Sequence, residues 1–410
     1  MSWTTVTQVL SPEQQEQVVQ AVAQQLDALS LPVKRDRKKL EIETINMVSL
    51  TLSRLGWVAD AVLQASLAQR VVALVGGLGF INDLLPGKER DTGLSEIALN
   101  PDGSLWVLRK GAEYFEPLDR RPPVDEVWRA VESLIAPLGR SISESIPSVD
   151  AKLPRLEGMG GARIKVIHPL LAPGNGYPSI NIRLFEPSPV KPEKLIEWQM
   201  APPAVIATLL AHVGRGLRLL VIGGTASGKT TLLSALCHAI PRQARVIKIE
   251  DPEEIWLDHP NVVTLEARPA PPGSSVPPYT VKNGVDDAMR MAPKWLIVGE
   301  VRHGDAALAL FRAQMSDHPG LSTFHAEGPE EAIFRMAVVM WADAQVAMEA
   351  AKAIFAQAVD LIVQVGWSHG VRKITGAWEV AGLRQGEVQF NRLYTLGDEG
   401  MQDCAKRRWS

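Results

Sequence analysis

Cysteine is almost missing from this chain: Cys237 and Cys404 are the only two in 410 residues. They form no Cys-x-x-Cys pair and no zinc-ligand spacing, which excludes a disulfide framework and a structural zinc as organising elements. An excess of either charge is lacking too. A net charge of −3 gives no global attraction to nucleic acid or to an anionic membrane. Long apolar runs are scarce. The longest uncharged one in the first part of the chain, Val71 to Ile81, falls short of the ~20 residues a membrane span needs. The start, Met1-Ser-Trp-Thr-Thr-Val-Thr7, has neither the basic beginning nor the apolar centre of a signal peptide. There is no internal repeat and no low-complexity tract. The expectation is a soluble protein of a reducing compartment. At 46% hydrophobic residues, it is long enough for two or three domains with their own cores.

What is present is a phosphate-binding loop. Gly223-Gly224-Thr225-Ala226-Ser227-Gly228-Lys229-Thr230-Thr231 fills the pattern Gly-x-x-x-x-Gly-Lys-Ser/Thr. A tight glycine loop turns consecutive backbone N–H groups toward phosphate oxygens. Lys229 can reach the β and γ phosphates, and the Thr230 hydroxyl can ligate Mg²⁺. The flanks agree: Leu219-Leu-Val-Ile222 reads as a buried strand, and Thr231 to Ile240 has helical composition. The phosphates would then sit on a helix N-terminus.

Upstream, Ser11-Pro12-Glu13-Gln14 has the pattern of an N-capped helix start with a capping box. Val18, Val22, Ala23, Leu26 and Leu29 then follow at helical spacing. The basic stretch Lys34 to Lys39 reads as a solvated face or linker, with a contact to acidic lipid or a partner as the alternative. A second helical zone covers roughly residues 40 to 85. Leu94 to Asn100, the turn Pro101-Asp-Gly103, and Ser104 to Arg109 predict a β-hairpin. Val124 to Ile135 predicts a helix, and Arg163 to Pro169 and Ser179 to Phe185 predict strands. Glu186 to Pro192 holds three prolines in seven residues, the composition of a stiff linker.

Four segments follow the loop in order. Arg245 to Glu250 reads as a strand running into Asp251-Pro-Glu-Glu-Ile255. Carboxylates just past a strand's carboxyl end lie where open α/β sheets place ligands, so one can orient or deprotonate an attacking water. A capped, solvated helix start is the alternative. Trp295-Leu-Ile-Val-Gly-Glu300 is an apolar strand ending in an acid suited to the metal or its waters. Gly299 stands where many P-loop enzymes carry Asp, leaving one acid there. Asp317 to His325 sets His318 and His325 around a short strand, without the spacing of a metal site.

Taken in order, Gly223 to Thr231, Ile249-Glu-Asp-Pro-Glu-Glu254, Ala288 to Arg302 and Leu321-Ser-Thr-Phe-His-Ala326 resemble the secretion traffic ATPases of type II and type IV secretion systems. These segments correspond to their Walker A, Asp box, Gly-Glu Walker B and His box. The resemblance covers roughly residues 90 to 390. It implies an α/β chain: a RecA-like P-loop NTPase domain at 201–410, a smaller PAS-like domain at 88–185, a linker at 186–200 and a helical N-terminal extension at 1–87. It also implies ATP and Mg²⁺, a homohexamer, and a cytoplasmic location with peripheral attachment to the inner membrane. The implied partners are secretion or pilus platform proteins, with DNA, protein or pilin as export substrate. Lacking the four-cysteine module of the general-secretion branch, the chain is similar to the conjugation-type and tight-adherence-pilus branch. Glu254 to Arg268, Leu94 to Asn100 and Ser148 to Phe185 carry that likeness.

By the same resemblance Glu254 is the catalytic base, and Glu300 the Walker B acid, supporting the metal with Thr230. His325 senses the γ-phosphate, and Arg163 and Arg183 meet the nucleotide. Three positions depart from the pattern: Lys294 for a usual Asp, His303 for a small residue, and Asp317 for a common Gly. Two other readings use the same loop: a small-molecule kinase, and a catalytically weak subunit that binds nucleotide only to assemble.

Overall fold

The computed structural model describes residues 10–27, 37–75, 79–81, 84–86, 92–136, 140–153, 160–186, 188–270 and 275–405. The chain forms two compact units, Met1–Pro187 and Ser188–Ser410.

In the first unit, helix α1 (Pro12–Asp27) opens on the expected capping box. Ser11 Oγ accepts from the Gln14 amide at 3.2 Å, and Gln14 Oε1 accepts from the Ser11 amide at 2.9 Å. Val18, Val22, Ala23 and Leu26 recur on one face and pack against Val48, Leu52, Leu67 and Val71. These last four belong to α2 (Arg37–Arg54) and α3 (Ala61–Val75). Lys34 to Asp36 lie outside the described residues, as do the side chains of Arg37 to Lys39. Strands β1 (Leu94–Leu99) and β2 (Leu105–Arg109) form the expected hairpin; β3 (Glu116–Leu118), β4 (Ser148–Leu153), β5 (Ala162–Ile167) and β6 (Ser179–Leu184) complete an antiparallel sheet. Its order is β3-β2-β1-β6-β5-β4. Period-two alternation buries Ile97, Val107, Ile164, Val166, Ile180 and Ile182 with Val127 and Val131 of helix α4 (Val124–Ile135). The intervening residues Glu96, Asp150, Arg163, Lys165, Asn181 and Arg183 line a charged hollow.

In the second unit, helix α5 (Pro192–Glu197) starts at Pro192, within the stretch 186–200 expected as a linker, and Leu195 is fully buried in this unit's core. Then come α6 (Pro203–Gly214), β7 (Leu219–Ile222), α7 (Lys229–Leu236), β8 (Val246–Glu250), β9 (Val262–Glu266), α8 (Val281–Ala288) and β10 (Trp295–Val298). These are followed by α9 (Gly304–Met315), β11 (Gly320–Phe324), α10 (Pro329–Ala344), α11 (Met348–Ala358), β12 (Leu361–Ser368), β13 (Val371–Arg384) and β14 (Glu387–Thr395). The sheet order is β14-β13-β12-β7-β11-β10-β8-β9. Strands β7 to β12 run parallel, and β13 and β14 add an antiparallel edge. Strands β7 and β10 are buried at every position, as parallel strands covered on both faces should be. Leu219 and Val221 enter one apolar cluster while Leu220 and Ile222 enter the other, so helices cover both faces. At the sheet edge away from the phosphate loop, Arg218 (2% exposed) and Asp360 (0%) form a bidentate pair at 2.9 and 3.0 Å. The third guanidinium contact goes to the Gln314 carbonyl at 2.8 Å, so this buried charge is compensated.

Candidate nucleotide-binding site

Four neighbouring parallel strands, β7, β11, β10 and β8, end on the same edge. Their carboxyl ends carry the phosphate loop, His325, Glu300 and the segment Glu250 to Glu254 respectively. This is the crevice where open α/β sheets bind ligands. It brings together every candidate of the second unit. Arg163 and Arg183 lie in the first unit as direct cross-strand partners on β5 and β6, with Arg163 3.8 Å from Asp150.

The loop itself is shaped by steric need. Gly223 has φ +155, and a Cβ there would meet the Val365 carbonyl oxygen at 2.2 Å; Gly228 caps α7 with φ +98. Both positions therefore require glycine. Lys229 is 9% exposed and folds back on the loop, donating to the Gly223 and Gly224 carbonyls at 3.1 and 2.7 Å. Thr225 and Ala226 are exposed, while Gly224, Thr230 and Thr231 are half-buried. The Ser227 hydroxyl is buried with no hydrogen-bond partner among the described residues. A glycine cradle at a helix N-terminus, with an orphaned hydroxyl and a folded lysine, fits a polyphosphate.

The opposite wall centres on a residue the sequence reading passed over. Lys248, 1% exposed, pairs with Glu250 at 2.9 Å and Glu253 at 2.8 Å and donates to the Ile255 carbonyl. Glu250 Oε1 accepts from the amides of Glu254 and Ile255 at 3.1 and 3.0 Å. Burial pushes the Glu250 carboxyl up, and the Lys248 ammonium pulls the other way. This clasp holds half-buried Glu254 beyond the strand end. The signal was readable: a lysine between apolar strand residues, followed by acids two and five positions on.

Gly299 leaves Glu300 as the one acid at the end of β10, and a residue of the neighbouring strand fills the space beside that glycine. A Cβ on Gly299 would meet Glu250 Cγ at 2.8 Å and Oε1 at 3.0 Å, so Glu250 occupies the space a side chain at 299 would need. Glu300, 31% exposed, pairs with Arg302 at 2.5 Å. Half-buried His325 follows β11 directly, whereas His318 precedes the strand at its other end. Asp317 has φ +67, which explains why glycine is common there; Asp tolerates this region better than most residues. His303 is exposed next to Asp343, and Lys294 is exposed.

Donor chemistry also fits the implied metal. Mg²⁺ takes one or two carboxylates and fills its shell with phosphate and water oxygens. Thr230 and Glu300 supply one hydroxyl and one carboxylate. Among the described residues no group of three or more His, Cys, Asp or Glu could hold an ion alone, so nucleotide oxygens would complete the shell.

A glycine loop between a buried strand and a helix, faced by carboxylates on adjacent parallel strands, defines a P-loop ATPase of RecA-like fold. Residues 119–370 match the family described as Type II/IV secretion system protein. That is more than half of the chain, and the chain belongs to that family. A putative conjugal transfer protein of Mycobacterium tuberculosis is 29% identical over 338 residues, 80% of this chain and 91% of that protein. An uncharacterized protein of Methanocaldococcus jannaschii is 35% identical over 199 residues, 48% of this chain. The chain spans only about a third of that relative's length (34%). The pilus retraction motor PilT with bound ADP shares the fold, with a TM-score of 0.51 and 20% identity over 73% of this chain and 79% of that one. Relatives named for conjugal transfer are among those the chain is similar to. Among the described residues no helix is long and apolar enough to cross a membrane.

Proposed function

We propose that this chain is a Mg²⁺-dependent ATPase motor that works as a ring hexamer. It powers a type IV secretion, conjugation or type IV-like pilus machine from the cytoplasmic face of the inner membrane, in contact with platform proteins and with DNA, protein or pilin as cargo. The observation that carries this reading is the alignment of the phosphate loop, His325, Glu300 and the Glu250–Glu254 clasp along one sheet edge. Family membership and the conjugal transfer relative support the choice of machine.

In this reading the amides of Gly223 to Thr231 and the Lys229 ammonium hold the phosphates. Glu254 takes a proton from the attacking water, and His325 hydrogen-bonds the terminal phosphate. Arg163 and Arg183 neutralise developing charge. Thr230 and Glu300 hold Mg²⁺, which when bound withdraws charge from phosphoryl oxygens. Lys229, now bonded to two loop carbonyls, exchanges those partners for phosphate oxygens.

Phosphate release from ATP, measured beside transfer to small-molecule acceptors and beside light scattering, tests the proposal. Free phosphate from particles of six-chain mass is expected, with rings more complete when nucleotide is added. Phosphoryl transfer to an acceptor, or full activity from a strict monomer, would overturn it.

A further inference from the structure

The β12–β13 hairpin flanks the phosphate loop on the side away from Glu300 and His325, because β12 and β11 lie on opposite sides of β7. Two contacts place it against the loop. The Val365 carbonyl oxygen would meet a Cβ on Gly223, and Arg372 Cδ would lie 3.4 Å from a Cβ on Gly228. The side chain of Arg372 thus runs past the residue whose amide precedes Lys229. Its guanidinium carbon sits 5.0 Å from the ring centroid of Trp367, its direct cross-strand partner. A cation stacked on an aromatic face across a strand pair is held in place by that contact. The turn joining them is tight, with His369 at φ 50 and Gly370 at φ 74.

We propose that Arg372 is a nucleotide-binding residue that grips the α- and β-phosphates from the hairpin side of the loop, with Trp367 positioning its guanidinium. The proposal rests on the reading of this loop as a nucleotide site and adds a cation that the phosphate-loop pattern does not contain. The assignment to α and β follows from position. The hydrolytic groups occupy the β11, β10 and β8 side, where the γ-phosphate must point, so a cation on the β12 side meets the part of the polyphosphate that ADP and ATP share. A guanidinium offers two parallel N–H groups to phosphate oxygens, which a lysine cannot match.

Calorimetric titration of the full chain with ADP and with a non-hydrolysable ATP analogue is the test, run on Arg372→Gln, Arg372→Lys, Trp367→Leu and Lys229→Ala. Arg372→Gln is expected to weaken both ligands equally, by about tenfold or more, as loss of a charge-assisted contact does. Arg372→Lys should recover part of that loss. Trp367→Leu should cost about threefold, a typical cation–π contribution, and the KM for ATP should rise with the ADP dissociation constant. Thermal melts identify any variant that fails to fold, in which case Arg372→Lys carries the test. Binding by Arg372→Gln within twofold of the parent, with Lys229→Ala impaired, would overturn this proposal and leave the site reading intact. A loss confined to the ATP analogue would overturn the α/β assignment. If Lys229→Ala also binds normally, the site reading fails and this proposal with it.

Discussion

Gly299→Ala should damage this enzyme through a residue it does not touch in sequence. The added Cβ would stand 2.8 Å from Glu250 Cγ and 3.0 Å from Oε1. Glu250 cannot swing aside freely. It is 2% exposed, Oε1 holds the amides of Glu254 and Ile255, and Oε2 faces the Lys248 ammonium at 2.9 Å. Overpacking at such a site costs about 1–3 kcal/mol. Surrendering even one hydrogen bond to the charged carboxylate adds a cost of about 1.5–3 kcal/mol. The chain will take the cheaper path, so a loss of about 1–3 kcal/mol is expected. For a unit of this size, that lowers Tm by roughly 2–4 °C per kcal/mol. Turnover should suffer more than stability, because a shift of about 1 Å in a positioned catalytic group can cost ~10²-fold. Melting curves and phosphate-release rates check both. Pairing the change with Glu250→Asp, one methylene shorter, should give a coupling of about 1 kcal/mol or more in a double-mutant cycle. Wild-type turnover in Gly299→Ala, or a strictly additive double mutant, would refute the reasoning.

Lys229→Ala should weaken ATP binding, whereas Glu254→Gln should bind ATP normally and turn over at least ~10²-fold more slowly; near-normal turnover in Glu254→Gln would move the base elsewhere. His212 is fully buried against Asp403 at 2.8 Å, and burial holds its pKa below the usual 6.5. The unfolded chain then takes up that proton first, so the contribution of His212 is present above about pH 6.5 and lost as pH falls below it. Tm measured from about pH 7.5 to 5.5 should fall with acid, and less steeply in His212→Gln; parallel slopes would count against this.

The phosphate loop was legible because its chemistry depends on a short local spacing, and Leu219 to Ile222 and Trp295 to Val298 because buried parallel strands are apolar throughout. The hairpin at Leu94 to Arg109 announced itself through alternation around Pro101-Asp-Gly103. Strand order was not legible: nothing local says that β11 and β10 insert between β7 and β8. The meaning of Gly299 depended on that order, since only adjacency of β8 and β10 puts Glu250 in its space. Arg372 was hidden for the same reason, being 144 residues from the Gly228 it packs beside. The helix starting at Pro192 was not legible, because a proline-rich segment looks the same whether it spaces domains or starts a helix.

The sheet acts as a ruler with fixed graduations. Neighbouring strands stand about 4.8 Å apart, so a working group can be moved from its neighbour only by whole strands or by bending the loop that carries it. From β7 to β8 is three graduations, about 14 Å. No strand can slide to shorten that span without breaking its ladder. The reach of Glu254 is therefore decided in Asp251 to Ile255, by how far the bracket pinned through Glu250 and Lys248 leans back toward the loop. Adjusting the speed of such an ATPase, by selection or by design, would fall on those five residues and their two clasps. The strands that flank the site are left free to be optimised for packing alone.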